Sequence, residues 1–506
     1  MPVIRALLLT AMLATGSTPL RAQETTSQLR SYATARARID RAIAALGGDS
    51  VLASLVTRTR YTGEQVQRHQ SHRPEPPYER TPISGELTLD FGRKRIGFEQ
   101  RTEFPGGFRS YTGFANDGGE AWQMNFVAGT RAPAGAPART FNGAWNLVRR
   151  SPQWLVLQAR ERAQTLRAAG TATVNGRVHD VVAFATADGR LVSLYLDRGT
   201  GLPGGFAMLN HDHFLGDVED RMLFSSWRRA GATMVPGVRR TLRAGELLEE
   251  VREETTVDEA VPDSVFAVRT ALRVDTVNAA PTTPELRPLA PGVQLLVGLN
   301  GQSALVVEFA DHVVVVEPYG DDGASRNALA TIAAALPGKP VRTIVTTHHH
   351  DDHSGGVRGY LAAGATLLTT DGNRAYFERF AKGRGSIPPD AAEVSGTPRI
   401  TTFHGRTTLA DGTRRLELID IGPNPHTQEM VVAWLPEERI LFQGDLLNAP
   451  WDASSPSVGN ETTAFFAEWL DRSGLAPRTI AAVHGPPQTV PQLQEAVSRY
   501  REGTTR

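Results

Sequence analysis

Residues 346–356 read TTHHHDDHSGG, and the reading of this run decides the fold. It sets four of the chain's thirteen histidines, His348, His349, His350 and His353, beside Asp351 and Asp352. Buried imidazoles and carboxylates cost free energy unless something pairs them. The run is therefore either a solvated loop or the cradle of a cation. Upstream, VRTIVTT is a β-type apolar run; downstream, Gly355-Gly356 precede the helix-like VRGYLAAG. The cluster belongs at the carboxyl end of a strand, in a loop entering a helix, where open α/β sheets place ligands. His348 and His350 are two apart, so an extended backbone sends both to the same side. Asp352 and His353 follow as the chain turns. One segment thus offers two pairs of ligands, one for each of two metals, with His349 and Asp351 directed elsewhere.

Three further candidates close apolar β runs in the same way. His426 ends LELIDIGPNPH, Asp445 ends RILFQGD in an apparent hairpin, and His484 ends TIAAVH before Gly485-Pro486-Pro487. A chance solvated loop does not explain three later sites of this kind. The chain has no cysteine, so any metal is held by histidine and carboxylate, a donor set that suits zinc, with iron or manganese as alternatives. Loops after ligand-bearing strands build substrate clefts. Asn448 and Trp451, in GDLLNAPWD, are therefore candidate substrate-binding residues, together with His349 inside the cluster. His312 and His404 read as surface residues. The stretch NHDHFLGD, with His211, Asp212, His213 and Asp217, has no companion cluster and reads as structural or surface.

The order H-x-H-x-D-H, then a distant His, Asp and His, resembles the metallo-β-lactamase superfamily from about Gly292 to Gly485, the hairpin GLNGQSALVVEFADHVVVVEP included. The resemblance implies an α/β domain, a four-layer αββα sandwich with metals at one edge of its sheets. It implies that His348, His350 and His426 bind one metal, that Asp352, His353 and His484 bind a second, and that Asp445 bridges them. Asp352 would be both ligand and proton acceptor or donor, hence catalytic. Asp445 in place of cysteine departs from the cysteine-bearing β-lactamases and matches the glyoxalase II and lactonase type. The expected cofactor is two Zn2+ per chain. Such a pair lowers the pKa of a shared water, and the resulting hydroxide attacks a carbonyl or phosphoryl centre. The expected enzyme is a hydrolase of a small ester, lactone, thioester or lactam. Two rivals are an iron-dependent persulfide dioxygenase, which shares the fold, and a non-catalytic periplasmic carrier of an apolar ligand.

The rest of the chain sets the context. Its 506 residues exceed one ordinary core. Zero formal net charge and a pI of 7.3 give no basic stripe for nucleic acid or an anionic membrane. The opening MPVIRALLLTAMLATGSTPLRAQ reads as a secretory signal peptide over residues 1–22. Its apolar stretch is shorter than the about 20 residues a membrane span needs. We therefore expect a periplasmic or secreted protein with no membrane span after cleavage. Residues 23–278 read as a β-rich α+β accessory domain. It opens on a helix with Ile39, Ala42, Ile43 and Leu46 at helical spacing, and a helical piece, FNGAWNLVRRSPQWLVLQARERAQTL, interrupts its strands. This helix-GG-helix-strand opening and the later VDEAVPDSVFAV resemble the periplasmic lipoprotein-carrier fold, which implies a curved half-barrel covered by helices. Residues 279–291, rich in Pro, Thr and Ala, read as a linker, and residues 292–506 as the catalytic domain. All seven ligand candidates lie beyond the linker, so the C-terminal part is expected to hold its metals by itself.

Overall fold

The computed structural model describes residues 18–257, 260–274, 283–299, 301–387, 393–451, 457 and 459–504. Most of the expected signal peptide, residues 1–17, and part of the expected linker, residues 275–282, lie outside the described residues.

The first helix, Thr18–Ala45, buries Ile39, Ala42, Ile43 and Leu46 on one face. It stops at Gly47 and Gly48, both at positive φ, a conformation that glycine adopts without a Cβ penalty. Fourteen strands then form one sheet. Val56–Val66 lies in its middle, between Arg80–Asp90 and Glu246–Val257. On one side the chain meanders outward from Arg80–Asp90 to Thr130–Pro133. It then crosses through the helix Pro152–Glu161 to the far edge, Arg167–Val174, and works back inward. The crossover helix buries Trp154, Leu155 and Val156 in one apolar cluster with the first helix and with Leu89, Ile96, Phe114, Leu194, Phe206 and Phe224, which come from both halves of the sheet.

Two smaller sheets make up the C-terminal region. One has seven strands in chain order from Glu285–Ala290 to Ile400–Phe403. The other has five, from Arg406–Ala410 to Thr479–Ala482. Val293, Leu295, Val297, Leu305 and Val307 of the first share one cluster with Leu416, Leu418, Val431, Ala433 and Phe442 of the second, so the sheets face each other. The alternate residues Leu296, Ala304 and Val306 pack with Ala328 and Ile332 of the helix Asp322–Ala335. Val432, Leu441 and Ile480 pack beneath the helices Glu461–Ser473 and Val490–Thr504. Strands covered on both faces read as continuous apolar runs, which is why VVVV at 313–316 shows no alternation. One expectation is corrected here. Residues 285–290, assigned to a linker, form the edge strand of the seven-stranded sheet, paired with Val293–Leu299. A proline-bearing segment reads as a linker, but an edge strand tolerates the missing N–H of Pro288.

The two regions interlock. Phe214, at the tip of the hairpin Pro203–Asp212/Gly216–Ser225 of the large sheet, is buried in the C-terminal cluster. Its ring centroid lies 4.5 Å from that of Phe380 and 5.6 Å from that of Tyr376. Asp217 N–H donates to the Arg384 carbonyl (2.9 Å). Asp212 shapes the tip by accepting from the N–H groups of Phe214 and Leu215. Within the NHDHFLGD stretch, Asp212 and Phe214 thus serve the turn and the packing between the regions, while His213 is exposed. Among the described residues, no helix is long and apolar enough to cross a membrane.

Candidate metal centre

The strand Val341–Val345 delivers Thr346 and Thr347 into a loop. His350 keeps extended backbone (φ −58°, ψ 148°) before the short helix Asp351–Ser354. His348 and His350 therefore fall on one side, their ring centroids 4.5 Å apart, and His426 joins them at 5.1 and 4.5 Å. One donor atom from each of these three lies within 4.8 Å of the others. Asp352, His353, Asp445 and His484 form a second group by the same measure. Asp445 touches both groups. Its Oδ2 is 3.1 Å from His353 Nε2 and 3.3 Å from His426 Nε2, and its Oδ1 is 3.2 Å from His484 Nε2. Four strand ends, separated by up to 136 positions from His348 to His484, are thus brought to one place.

The donor chemistry fits metal ions. His348, His350, His353 and His426 are all buried. In His348, His350 and His426 one ring nitrogen has no hydrogen-bond partner, Nε2, Nδ1 and Nε2 in turn, and in His353 neither nitrogen has one. A buried polar atom left unsatisfied costs about 1–3 kcal/mol, and four converging imidazole nitrogens are what a pair of cations would satisfy. The opposite nitrogens are held. His348 Nδ1 is 3.0 Å from Thr347 Oγ1, while His353 Nδ1 has only the ion-pair approach of Glu317 Oε1 at 3.2 Å. His350 Nε2 is 2.9 Å from the Ser71 carbonyl, and His426 Nδ1 is 3.3 Å from the Pro105 carbonyl. Metal-ligating histidines characteristically donate their second N–H in this way.

The electrostatics divide the groups. Burial, then the neighbouring imidazoles, hold His348 and His350 well below the ordinary histidine pKa, neutral and ready to ligate. Burial works against charge in the second group, but mutual attraction outweighs it. Asp352 and Asp445 are depressed by His353, and His353 is raised by Asp352 and Asp445. His484 is pushed up to about 9 against its burial, first by Asp445. Without metal this group is a cluster of imidazolium and carboxylate, so metal binding there releases protons. The Asp352 and His484 side chains retain 39% and 28% exposure, against 9% for Asp445. Solvent reaches the group from their side.

Two substrate candidates are corrected. His349 is 1% exposed, lies edge-on to Tyr376 at 5.6 Å, and belongs to neither donor group. Its ring packs behind the ligand loop, and burial lowers its pKa to about 3. The Trp451 indole donates to the Gly301 carbonyl (3.1 Å) and packs against the cluster between the sheets, a structural position. Asn448 is half-buried beside Ala449, whose N–H donates to the His484 carbonyl (3.2 Å), and its Oδ1 has no partner. His404 is exposed, whereas His312 stacks on Phe309 at 4.9 Å and is only half-exposed.

The sequence reading missed the residues that reach the site from the N-terminal region. Gln70 donates to Oδ1 of Asp352 (2.8 Å) and to Oδ1 of Asp351. Asp351 N–H donates to the His69 carbonyl (3.2 Å), Gln428 N–H to the His72 carbonyl (2.8 Å), and His72 Nε2–H to the Asn424 carbonyl (2.8 Å). Phe108 lies edge-on to His426 at 5.0 Å. Gly106, at φ +84°, passes so close that a Cβ would come 2.9 Å from His426 Nδ1. A signal was available. Val66 and Arg80 pair directly, so residues 67–79 are a hairpin connection far longer than the usual about two to five residues. Loops of that length are usually functional.

Residues 297–482 match the family model described as "Metallo-beta-lactamase superfamily". The chain is 26% identical over 167 residues to the metallo-beta-lactamase type 2 of Bacillus cereus, which covers 33% of this chain and 58% of that protein. It is 25% identical over 174 residues to the type 2 enzyme of Bacillus sp. (strain 170), with 34% and 60% covered. The chain thus spans less than two thirds of either relative. Among solved structures, a metallo-beta-lactamase from Pontibacter korlensis shares 21% identity at a TM-score of 0.33, covering 43% of this chain and 99% of that one. One from Hirschia baltica shares 19% at 0.32, covering 43% and 98%. The C-terminal region of this chain carries a metallo-β-lactamase superfamily domain.

Proposed function

We propose that this chain is an exported hydrolase of small molecules that uses two metal ions, zinc by preference, held by His348, His350 and His426 and by Asp352, His353 and His484, with Asp445 between them. The observation that carries the proposal is the Asp445 carboxylate, whose two oxygens lie 3.1–3.3 Å from histidines of both donor groups. Zinc there supplies Lewis acidity toward a carbonyl or phosphoryl oxygen and acidifies water. The protein does the rest. The buried imidazoles would hold the ions, with the Asp445 carboxylate between the two donor groups. Asp352 faces solvent, with Oδ1 held by Gln70 and Oδ2 turned toward His353 and His484. It is placed to take a proton and return it to a leaving group. An aspartate, not a cysteine, at 445 favours the glyoxalase II and lactonase type, and hence an ester, lactone or thioester over a lactam. The facing sheets with helices outside them fit the αββα arrangement, and the helix-covered large sheet fits the half-barrel expected of residues 23–278. A carrier of apolar ligands fits less well. A hollow of 890 Å³ on the large sheet is walled by Arg58, Glu86, Glu99 and Arg101 as much as by Phe98 and Phe114.

The test is a hydrolysis panel of lactones, thioesters, lactams and phosphoesters on the zinc-loaded protein, run beside Asp352→Ala. Turnover by the parent and its collapse in the variant are expected. Stoichiometric iron with oxygen consumption, or no turnover of any class, would reject the proposal. Export predicts that periplasmic material begins at Gln23; an intact Met1 there would contradict it.

A further inference from the structure

We infer that the N-terminal region is part of the metal centre: the Ser71 and Pro105 carbonyls select which nitrogen His350 and His426 present to the metal, and Gln70 selects which oxygen Asp352 presents. The inference rests on the two-metal reading above. A carbonyl only accepts, so a ring nitrogen 2.9 Å from Ser71 O carries the proton, and that nitrogen is Nε2 of His350. The lone pair is then on Nδ1, the atom without a partner. For His426 the order is reversed. Nδ1 donates to Pro105 O and Nε2 is free. Gln70 holds Asp352 Oδ1 and leaves Oδ2 facing His353 and His484.

Two separate N-terminal loops thus place main-chain acceptors on two ligands of the same group, each acceptor opposite the free nitrogen. An ordinary interface between packed regions has no reason to do so. The loops are themselves held. Ser71 is fully buried, its hydroxyl pairs with Glu79, and His72 N–H donates to Glu79 Oε2 (2.9 Å). His72 is clamped on both sides to the 424–428 loop that carries His426. His69 stacks on Phe214 at 4.6 Å, and Thr462 Oγ1 donates to the Gly106 carbonyl (3.1 Å). Ser71, Pro105 and Gln70 are positioning residues. They act through the ligands, and outer partners of this kind are worth about 10–100-fold in metal affinity. The inference runs against the expectation that the C-terminal region holds its metals by itself.

The experiment uses the full chain. A long-range 1H–15N spectrum of the zinc-loaded protein should show His350 bound through Nδ1 with Nε2 protonated, and His426 bound through Nε2 with Nδ1 protonated. The opposite tautomer at either residue overturns the inference. A second arm replaces residues 67–79 by an Asn-Gly turn, which closes the Val66–Arg80 pair without altering the sheet. Zinc affinity by chelator competition should fall about 10–100-fold while far-UV circular dichroism is retained. Gly106→Ala, whose Cβ would press on His426 and Thr462, should lower affinity in the same direction. Should the shortened chain fail to fold, the parent spectrum and Gly106→Ala decide. Unchanged zinc affinity in a folded shortened chain overturns the inference and leaves the hydrolase proposal standing. A parent that binds no zinc overturns both.

Discussion

Asp445→Asn separates the bridging role from a merely structural one. The substitution keeps the shape of the side chain and removes one negative charge from a fully buried position between two histidine groups. An amide has a single acceptor oxygen, whereas Asp445 uses both of its own, Oδ2 toward His353 and His426 and Oδ1 toward His484. If the amide nitrogen takes the Oδ2 position, it meets the metal-facing nitrogens of both groups and the bridge is lost. If it takes the Oδ1 position, the contact to His484 is lost. In the first case the second group falls below four donors, and in the second its fourth donor is neutral; in both, His348, His350 and His426 keep the three protein ligands of an ordinary catalytic zinc site. We expect a folded variant that holds about one metal tightly. Its turnover should fall at least about 100-fold, about 2.7 kcal/mol, the scale of removing one charge-stabilising group from a transition state. Elemental analysis of dialysed protein reads the first, and kcat on the best substrate of the panel reads the second. In metal-free protein, His484 should also drop from about 9 toward the ordinary histidine value, because Asp445 is the largest influence raising it. Two equivalents of metal with unchanged kcat would refute the bridge and the two-metal mechanism with it.

Further outcomes follow from the contacts between the two regions. Phe214→Ala empties a site in the C-terminal core filled from the N-terminal sheet. It should cost about 3–5 kcal/mol in urea unfolding, and an unchanged midpoint would show that the hairpin tip is no anchor. Gln70→Glu sets a carboxylate against Asp351 and Asp352. Asp351, already raised to about 6 by burial and then by Asp352, should rise further, and zinc titration should show weaker binding than in Gln70→Ala; equal affinities would discount the charge. Burial lowers His69 to about 4 in the folded chain, against 6.5. Between those values the unfolded chain binds more protons, so stability falls as pH falls from about 6.5 to about 4. His69→Phe, which preserves the stack on Phe214, should flatten that slope in denaturation at pH 7 and pH 5; identical slopes would refute it.

Much of the site could be read from residue order. The ligand-capable residues each close an apolar β run, and a strand that ends in a loop presents its last side chains at the edge of its sheet. Period two put His348 and His350 on one side, as the structure has them. Local rules failed where a side chain's environment comes from distant chain. His349 looked like a pocket residue because its neighbours are ligands, but Tyr376 and residues 69–72 of the long hairpin connection lie against it. Trp451 looked like a cleft wall, but the hairpin at Gly301 claims its indole. Pro288 looked like linker because proline is rare inside sheets, and only the sheet order reveals that it stands at an edge.

The sequence by itself determined which residues can hold metal and that they sit at strand ends, because ligand chemistry and backbone period are local properties. The tertiary structure decided which ring nitrogen of His350 and of His426 is left without a partner. That depends on hydrogen-bond acceptors up to 321 positions away, at Ser71 and Pro105, and no local rule carries information across that separation.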